Sequence, residues 1–267
     1  VLNTSDKGNR ELLENLLNRK DISHRELFGN IKNIISKEIL EKLSNSELNL
    51  NNNNEFNLFI KQEDLKKALS LLIFCSPLWE KVLINIRKSL LLNFSEDKQV
   101  NKEVLDFIIA LGSQCYLNEY VYYVSIEEKY KLEELKKLIP LDNNQDYKLA
   151  LISCYQPLSS INHETIDLNN YTSSNKEFNN LIDLQFEEII IEKKISDKIN
   201  KIGNFDDSVS KKVKNQYEEN PYPRWRYNSY AKENKINFIT VINSEIYPNS
   251  IKLNQSNIKD KKLNILI

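Results

Sequence analysis

The chain has 267 residues, 40% of them hydrophobic and 28% charged, and its 37 Lys plus Arg nearly cancel 38 Asp plus Glu to leave a formal net charge of −1. That balance gives no support for a broad polybasic surface for nucleic acid or for an anionic membrane, and the length suits one large domain or two ordinary ones. Apolar runs such as residues 69–74 and 90–92 fall far short of the ~18–20 residues of a membrane span, and no basic-then-apolar leader opens the chain. Glycine is scarce, at 4 residues, while leucine, isoleucine, lysine and glutamate abound, which predicts mostly helix with few tight turns. Cys75, Cys115 and Cys154 lie far apart in apolar surroundings without a Cys-x-x-Cys pair. They are expected as buried thiols in a reducing cytoplasm rather than as a disulfide or zinc framework.

In chain order, Leu12, Leu13, Leu16 and Leu17 recur at helical spacing and predict an amphipathic helix within residues 9–20. Ser23 and Glu26 have the spacing of a capping box, with His24 on the surface beside it. The apolar set Leu27, Phe28, Ile31, Ile34, Ile35, Ile39, Leu40 and Leu43 predicts one helix behind that cap. Residues 44–57, which include four consecutive asparagines, read as a polar loop. A third helix is expected over 62–74, and Ser76-Pro77 then restarts the chain as N-cap and first helical residue. The helix over 77–93 carries Leu78, Trp79, Val82, Leu83, Ile86, Leu90 and Leu91 on one side.

Residues 100–111 are apolar nearly all round and predict a buried central helix. Tyr116, Tyr120, Tyr122 and Tyr123 follow at helical spacings, as core or interface residues. Asn118 and Glu119, set between apolar residues, read as a buried polar anchor or as part of a substrate cleft. Ser125 and Glu128 form another capping box for a helix over 126–138, while Glu127-Glu128 and Glu187-Glu188 read as solvated faces. A short apolar helix over 147–154 leads into a loop over 155–171, whose His163 has no cysteine or carboxylate cluster nearby to make a metal site. Helical pattern returns over 178–199. Asp207 is the expected N-cap of a helix over 208–220, with Val209, Val213 and Tyr217 on one face and Pro221 ending it. Residues 234–242 are β-rich, and 263–267 form a fully apolar candidate strand.

The least generic stretch is Tyr217-Glu-Glu-Asn-Pro-Tyr-Pro-Arg-Trp225. Pro221 and Pro223 fix their own φ near −65° and bias Asn220 and Tyr222 towards extended geometry. The result is a stiff arm whose flat aromatic side chains favour burial. This stretch resembles a signature found just before the catalytic domain in a group of bacterial class I S-adenosylmethionine-dependent methyltransferases, often associated with tetratricopeptide repeats. Cys115-Tyr-Leu-Asn-Glu-Tyr-Val-Tyr-Tyr-Val-Ser-Ile-Glu-Glu128 resembles a second block of the same group's helical region, and the order and separation of the blocks also fit.

The resemblance implies a mostly α fold with a helical accessory domain over 1–205. A linker arm and the first elements of a truncated α/β, Rossmann-like methyltransferase domain would follow over 206–267. In that family a Gly-x-Gly loop after the first strand holds the cofactor. No Gly-x-Gly occurs here, so no catalytic residue is assigned and the chain is expected to be an accessory or lid region, cut before that loop. The implied cofactor is S-adenosyl-L-methionine. The implied partners are the C-terminal methyltransferase domain and a methyl acceptor, small molecule or protein; neither metal, membrane nor nucleic acid is expected.

For the arm the resemblance leaves two roles open. Tyr217, Tyr222 and Trp225 would line the cofactor pocket while Arg224 offers its guanidinium fork to the methionine carboxylate. Alternatively the arm packs the helical region onto the catalytic sheet, with Arg224 paired to Glu218 or Glu219. A different class of function, a helical protein-interaction module without chemistry of its own, fits the helical composition equally well, as does a free-standing helical domain.

Overall fold

Helix is the only regular secondary structure among the described residues. A computed structural model describes residues 7–22, 24–45, 48, 53–96, 101–139, 144–162, 166–199, 208–219 and 238–250. In order these form α1 (Lys7–Leu17), a 3-10 turn (His24–Leu27) running into α2 (Phe28–Ile31), α3 (Lys37–Asn45), α4 (Asn54–Ile60), α5 (Glu63–Leu71) and α6 (Pro77–Leu92). There follow α7 (Lys102–Leu117), α8 (Ile126–Lys137), α9 (Gln145–Ser153), α10 (Lys176–Ile182), a π-helical turn (Asp183–Glu187) continuing into α11 (Glu188–Ser196), α12 (Ser208–Glu219) and α13 (Phe238–Glu245).

The helices stack in two layers. In one, α1 packs on α5, α5 on α7, and α7 on both α9 and α10; in the other, α3 packs on α6 and α6 on α8. Central α7 also touches α4 and α6. That surround is why its sequence is apolar on every side, and every residue from Phe107 to Leu117 is buried. Phe59, Phe74, Trp79 and Phe107 join the layers, with ring centroids 5.0–5.8 Å apart. Gly112 permits the closest helix approach. A Cβ there would lie 2.1 Å from Ser153 Oγ and 3.2 Å from Ser153 Cβ, so α7 and α9 meet where a side chain is absent.

Several helices start on asparagines. The Asn53 side chain accepts from Phe56 N–H at 2.8 Å, Asn101 from Glu103 N–H at 2.9 Å, and Asn175 from Glu177 N–H at 3.0 Å. The polar run before α4 therefore supplies a cap. Residues 54–57 are helical rather than looped, and Phe56, Phe59 and Ile60 are buried.

Four further expectations are corrected. The helix predicted behind residue 24 is broken at 32–36. Gly29 and Asn30 still lie within α2, the chain leaves helix after Ile31, and Ser36 starts a new helix by accepting from Ile39 N–H at 3.4 Å. His24 is buried, at 4% exposure, because the turn folds it under α1. The central helix runs six residues past its predicted end, since Gly112 is needed for close approach rather than as a terminator. Residues 238–242 are helical, not β; their β-branched side chains lower helix propensity by only a few tenths of a kcal/mol each. The candidate strand at 263–267 lies outside the described residues, as does the Asp207 cap. No helix among the described residues is long and apolar enough to cross a membrane.

Candidate functional site

The first candidate site is the stretch from Cys115 to Glu128. After α7 the chain turns through two consecutive left-handed residues, Glu119 (φ 56°) and Tyr120 (φ 55°). The turn is closed by Tyr120 N–H donating to the Cys115 carbonyl at 2.8 Å and Glu119 N–H to the Tyr116 carbonyl at 3.1 Å. This is the Schellman pattern, with glutamate where glycine is usual. A left-handed non-glycine residue costs roughly 1–2 kcal/mol, so the surrounding structure must hold this turn in place.

What holds it is a buried polar network. Arg87, on α6, and Glu128, on α8, are each 1% exposed. Arg87 Nη2 donates to the Tyr123 carbonyl at 2.6 Å and lies 3.4 Å from Glu128 Oε1. Tyr155 Oη donates to the same carboxylate oxygen at 2.8 Å, and its ring lies beneath the guanidinium at 4.4 Å. The other carboxylate oxygen accepts from Ser125 N–H at 2.8 Å, completing the capping box. Glu128 thus serves two masters, correcting the expectation that it is solvated; Glu127, Glu187 and Glu188 are exposed as expected.

The two buried cysteines complete the cluster. Burial pushes the Cys115 thiol up, but Cys154 and the Arg87 guanidinium more than offset this, and it sits below its ordinary value. Cys154 is pushed well up by burial and by Cys115. Burial also raises Tyr155 and Tyr120. Cys75, expected buried, is exposed.

Both amide atoms of Gln114 and of Asn118, Arg87 Nε and the hydroxyls of Tyr120 and Tyr122 are buried without a hydrogen-bond partner among the described residues. Burial and Cys115 raise the Tyr122 hydroxyl, while the nearby Asn118 side chain acts to lower it. Tyr116 and Tyr122 are core as expected, but Tyr123 is exposed. Cys115 is fully enclosed, so the network's chemistry is that of an anchor tying α6, α7, α8 and α9 together. A buried ion pair of this kind seldom adds net stability over an apolar substitute, but breaking it is costly.

The second candidate is a groove of about 1080 Å³ on the face of the layer formed by α1, α5, α7 and α10. Its floor is Leu105, Ile109, Ala110 and Ser113 of α7. At one end stand Arg19, Lys20, Lys66 and Lys67; at the other stand Asp106, Asp146, Glu177, Asp183 and Glu188. Arg19 pairs with Asp21 at 2.5 Å and Lys66 with Glu63 at 2.7 Å. Asp106 accepts from Asn175 at 2.8 Å, and Asp146 from Tyr171 at 2.6 Å.

Of the residues singled out in the arm, Tyr222, Arg224 and Trp225 lie outside the described residues. Tyr217 belongs to α12, its side chain likewise outside. Arg87, Tyr155 and the groove were not read from sequence. Arg87 left a signal: it falls between Leu83 and Leu90 on the apolar face of its helix, where a charge requires a buried partner. Among the described residues no group of three or more His, Cys, Asp or Glu is placed to hold a metal ion. No family model, curated protein or solved structure matches the chain.

Proposed function

We propose that this chain is the helical region of an S-adenosylmethionine-dependent methyltransferase, selecting the methyl acceptor and lying against a catalytic fold whose cofactor loop is beyond Ile267. The observation that carries this reading is the pair of blocks Cys115–Glu128 and Tyr217–Trp225, in the order and separation of the family they resemble. The first block supports it further because it is more than helix-forming sequence. It builds a strained turn and a buried network around Arg87, which packing alone does not require. In this reading Tyr217, Tyr222, Arg224 and Trp225 approach the cofactor, and the helical layers supply no reacting group. Displacement at a sulfonium methyl depends on positioning and exclusion of water, which an accessory region can provide.

The coding sequence after Ile267 is expected to encode a Gly-x-Gly loop, and the whole gene product to bind S-adenosylmethionine by calorimetry. A downstream sequence lacking the loop, with no cofactor binding, overturns the reading. Arg224→Ala and Trp225→Ala should each weaken cofactor binding by about tenfold, in line with the loss of one charge-assisted hydrogen bond or one aromatic wall. Unchanged affinity would assign the arm to packing between domains.

A second reading, a helical protein-interaction module, is favoured by one specific observation: the groove over α5 and α7 is lined mainly by residues of the helical layer and the turns at its helix ends. In that case the chain binds its partner whether or not a cofactor fold is attached.

A further inference from the structure

The groove is charged unevenly, and the unevenness follows the order of the helices. The α1 and α5 end carries four bases, Arg19, Lys20, Lys66 and Lys67, against two acids, Glu14 and Glu63. The α7 and α10 end carries five acids, Asp106, Asp146, Glu177, Asp183 and Glu188, against Lys102 and Lys176. By charge alone one end is +2 and the other −3, although the chain as a whole is −1. Arg19 is offset by Asp21, which stands just outside the lining, so the basic end is nearer +1; the ends still differ in sign. Lys20, Glu177, Asp183 and Glu188 are all exposed.

Between the ends the floor is low and largely apolar, with Leu105 half-buried and open to contact. Stacked helices lie 8–10 Å apart, so the three steps from α1 through α5 and α7 to α10 span roughly 27 Å. At about 3.3 Å per residue, an extended chain of roughly eight residues bridges that distance. A nucleic acid, uniformly negative, would be repelled by the α10 end, and any ligand of one sign would find complementary charge at one end only.

We infer that this groove binds an extended peptide segment of a partner protein, with acidic residues at one end, small or apolar residues in the middle and Lys or Arg at the other. The acidic end lies over Lys20 and Lys67 and the basic end over Asp183 and Glu188. This goes beyond the methyltransferase reading and holds independently of it, because no cofactor enters the contact.

The test uses the 267-residue chain and fluorescein-labelled nine-residue peptides, read by anisotropy at low salt. The probes are three glutamates, three alanine or leucine residues and three lysines, in both directions, with all-acidic and all-basic peptides and a single-stranded oligonucleotide as controls. One bipolar peptide should bind at least tenfold more tightly than either uniform peptide or the oligonucleotide. Arg19→Glu with Lys20→Glu, and separately Asp183→Lys with Glu188→Lys, should each weaken it at least tenfold. These side chains are exposed, and an unchanged thermal melt will show that the variants fold. The inference is overturned by absence of binding to both bipolar peptides. Equal binding of a uniform peptide or the oligonucleotide overturns it too, as does affinity indifferent to either charge reversal in a folded variant.

Discussion

Gln185 Nε2 donates to the Gly112 carbonyl oxygen at 2.9 Å, across the point where α7 and α9 make their closest approach. The same amide nitrogen reaches the Ser153 carbonyl at 3.3 Å, and Gln185 Oε1 accepts from Leu158 N–H at 3.3 Å. Gln185 sits in the π-helical turn between α10 and α11. The extra residue of that turn is what points a polar side chain inward within an otherwise amphipathic helix. Three separate segments are therefore held by one buried amide with its hydrogen bonds satisfied.

Gly112→Ala tests the close approach. The added methyl meets Ser153, whose Oγ already donates to the Ala150 carbonyl at 2.6 Å, so helices must separate or Ser153 must turn. Overpacking of this sort costs about 1–3 kcal/mol. Urea unfolding should show the loss, and adding Ser153→Ala should restore part of it. An unchanged midpoint would mean that the two helices are not tightly opposed.

Glu128→Gln isolates the buried ion pair. Glutamine still serves the third position of a capping box, so the α8 start survives while the Arg87 guanidinium loses its counter-charge. Removing one partner of a buried pair costs about 3–5 kcal/mol. Combining it with Arg87→Met should recover much of that loss, giving a coupling energy well above the ~0.5 kcal/mol scatter of independent sites. Additive single effects would show that the two groups do not interact.

Asn53→Ala should destabilise the chain by about 1 kcal/mol, the usual worth of an N-cap. Asn54→Ala, one residue further on and exposed at the first helical position, should change stability by less than about 0.5 kcal/mol. Equal effects would remove Asn53 as the cap.

His24 supplies a pH dependence. Burial holds its imidazole below the ordinary 6.5, against the raising influence of backbone carbonyls at Arg19 and Leu17. The unfolded chain then takes up the proton first as pH falls, so the contribution of this residue is complete above about pH 6.5 and is lost progressively below it. Melting temperatures measured from pH 8 to 5.5 should fall for the native chain, and the slope should flatten in His24→Phe. An identical slope in both would assign the dependence to other groups.

Much of the helical framework was legible locally. The Ser125–Glu128 box, Ser76-Pro77 and the all-round apolar character of α7 each act over a few residues, and each marks a real helix. The missing features are those whose causes lie elsewhere in the chain. Glu128 carries the local signal of a cap, but its second role depends on Arg87, 41 residues away, and Tyr155, 27 residues away. The asparagines before α4 look like a loop because a cap and a loop share composition. The groove has no local signature at all, since its floor and two ends come from helices spread over more than 170 residues. The arm is the reverse case. Its motif is the most specific in the sequence, yet its side chains lie outside the described residues.

The enclosure of α7 by five other helices also sets a hierarchy of motion. The amides of its buried stretch, Phe107–Leu117, are reached by solvent only when the layers come apart, so they should exchange with deuterium at the rate of global unfolding. The helix α11 has no buried residue; its amides should exchange faster by several orders of magnitude. The described chain after α10 thus leaves the buried centre through α11, a helix held by few tertiary contacts.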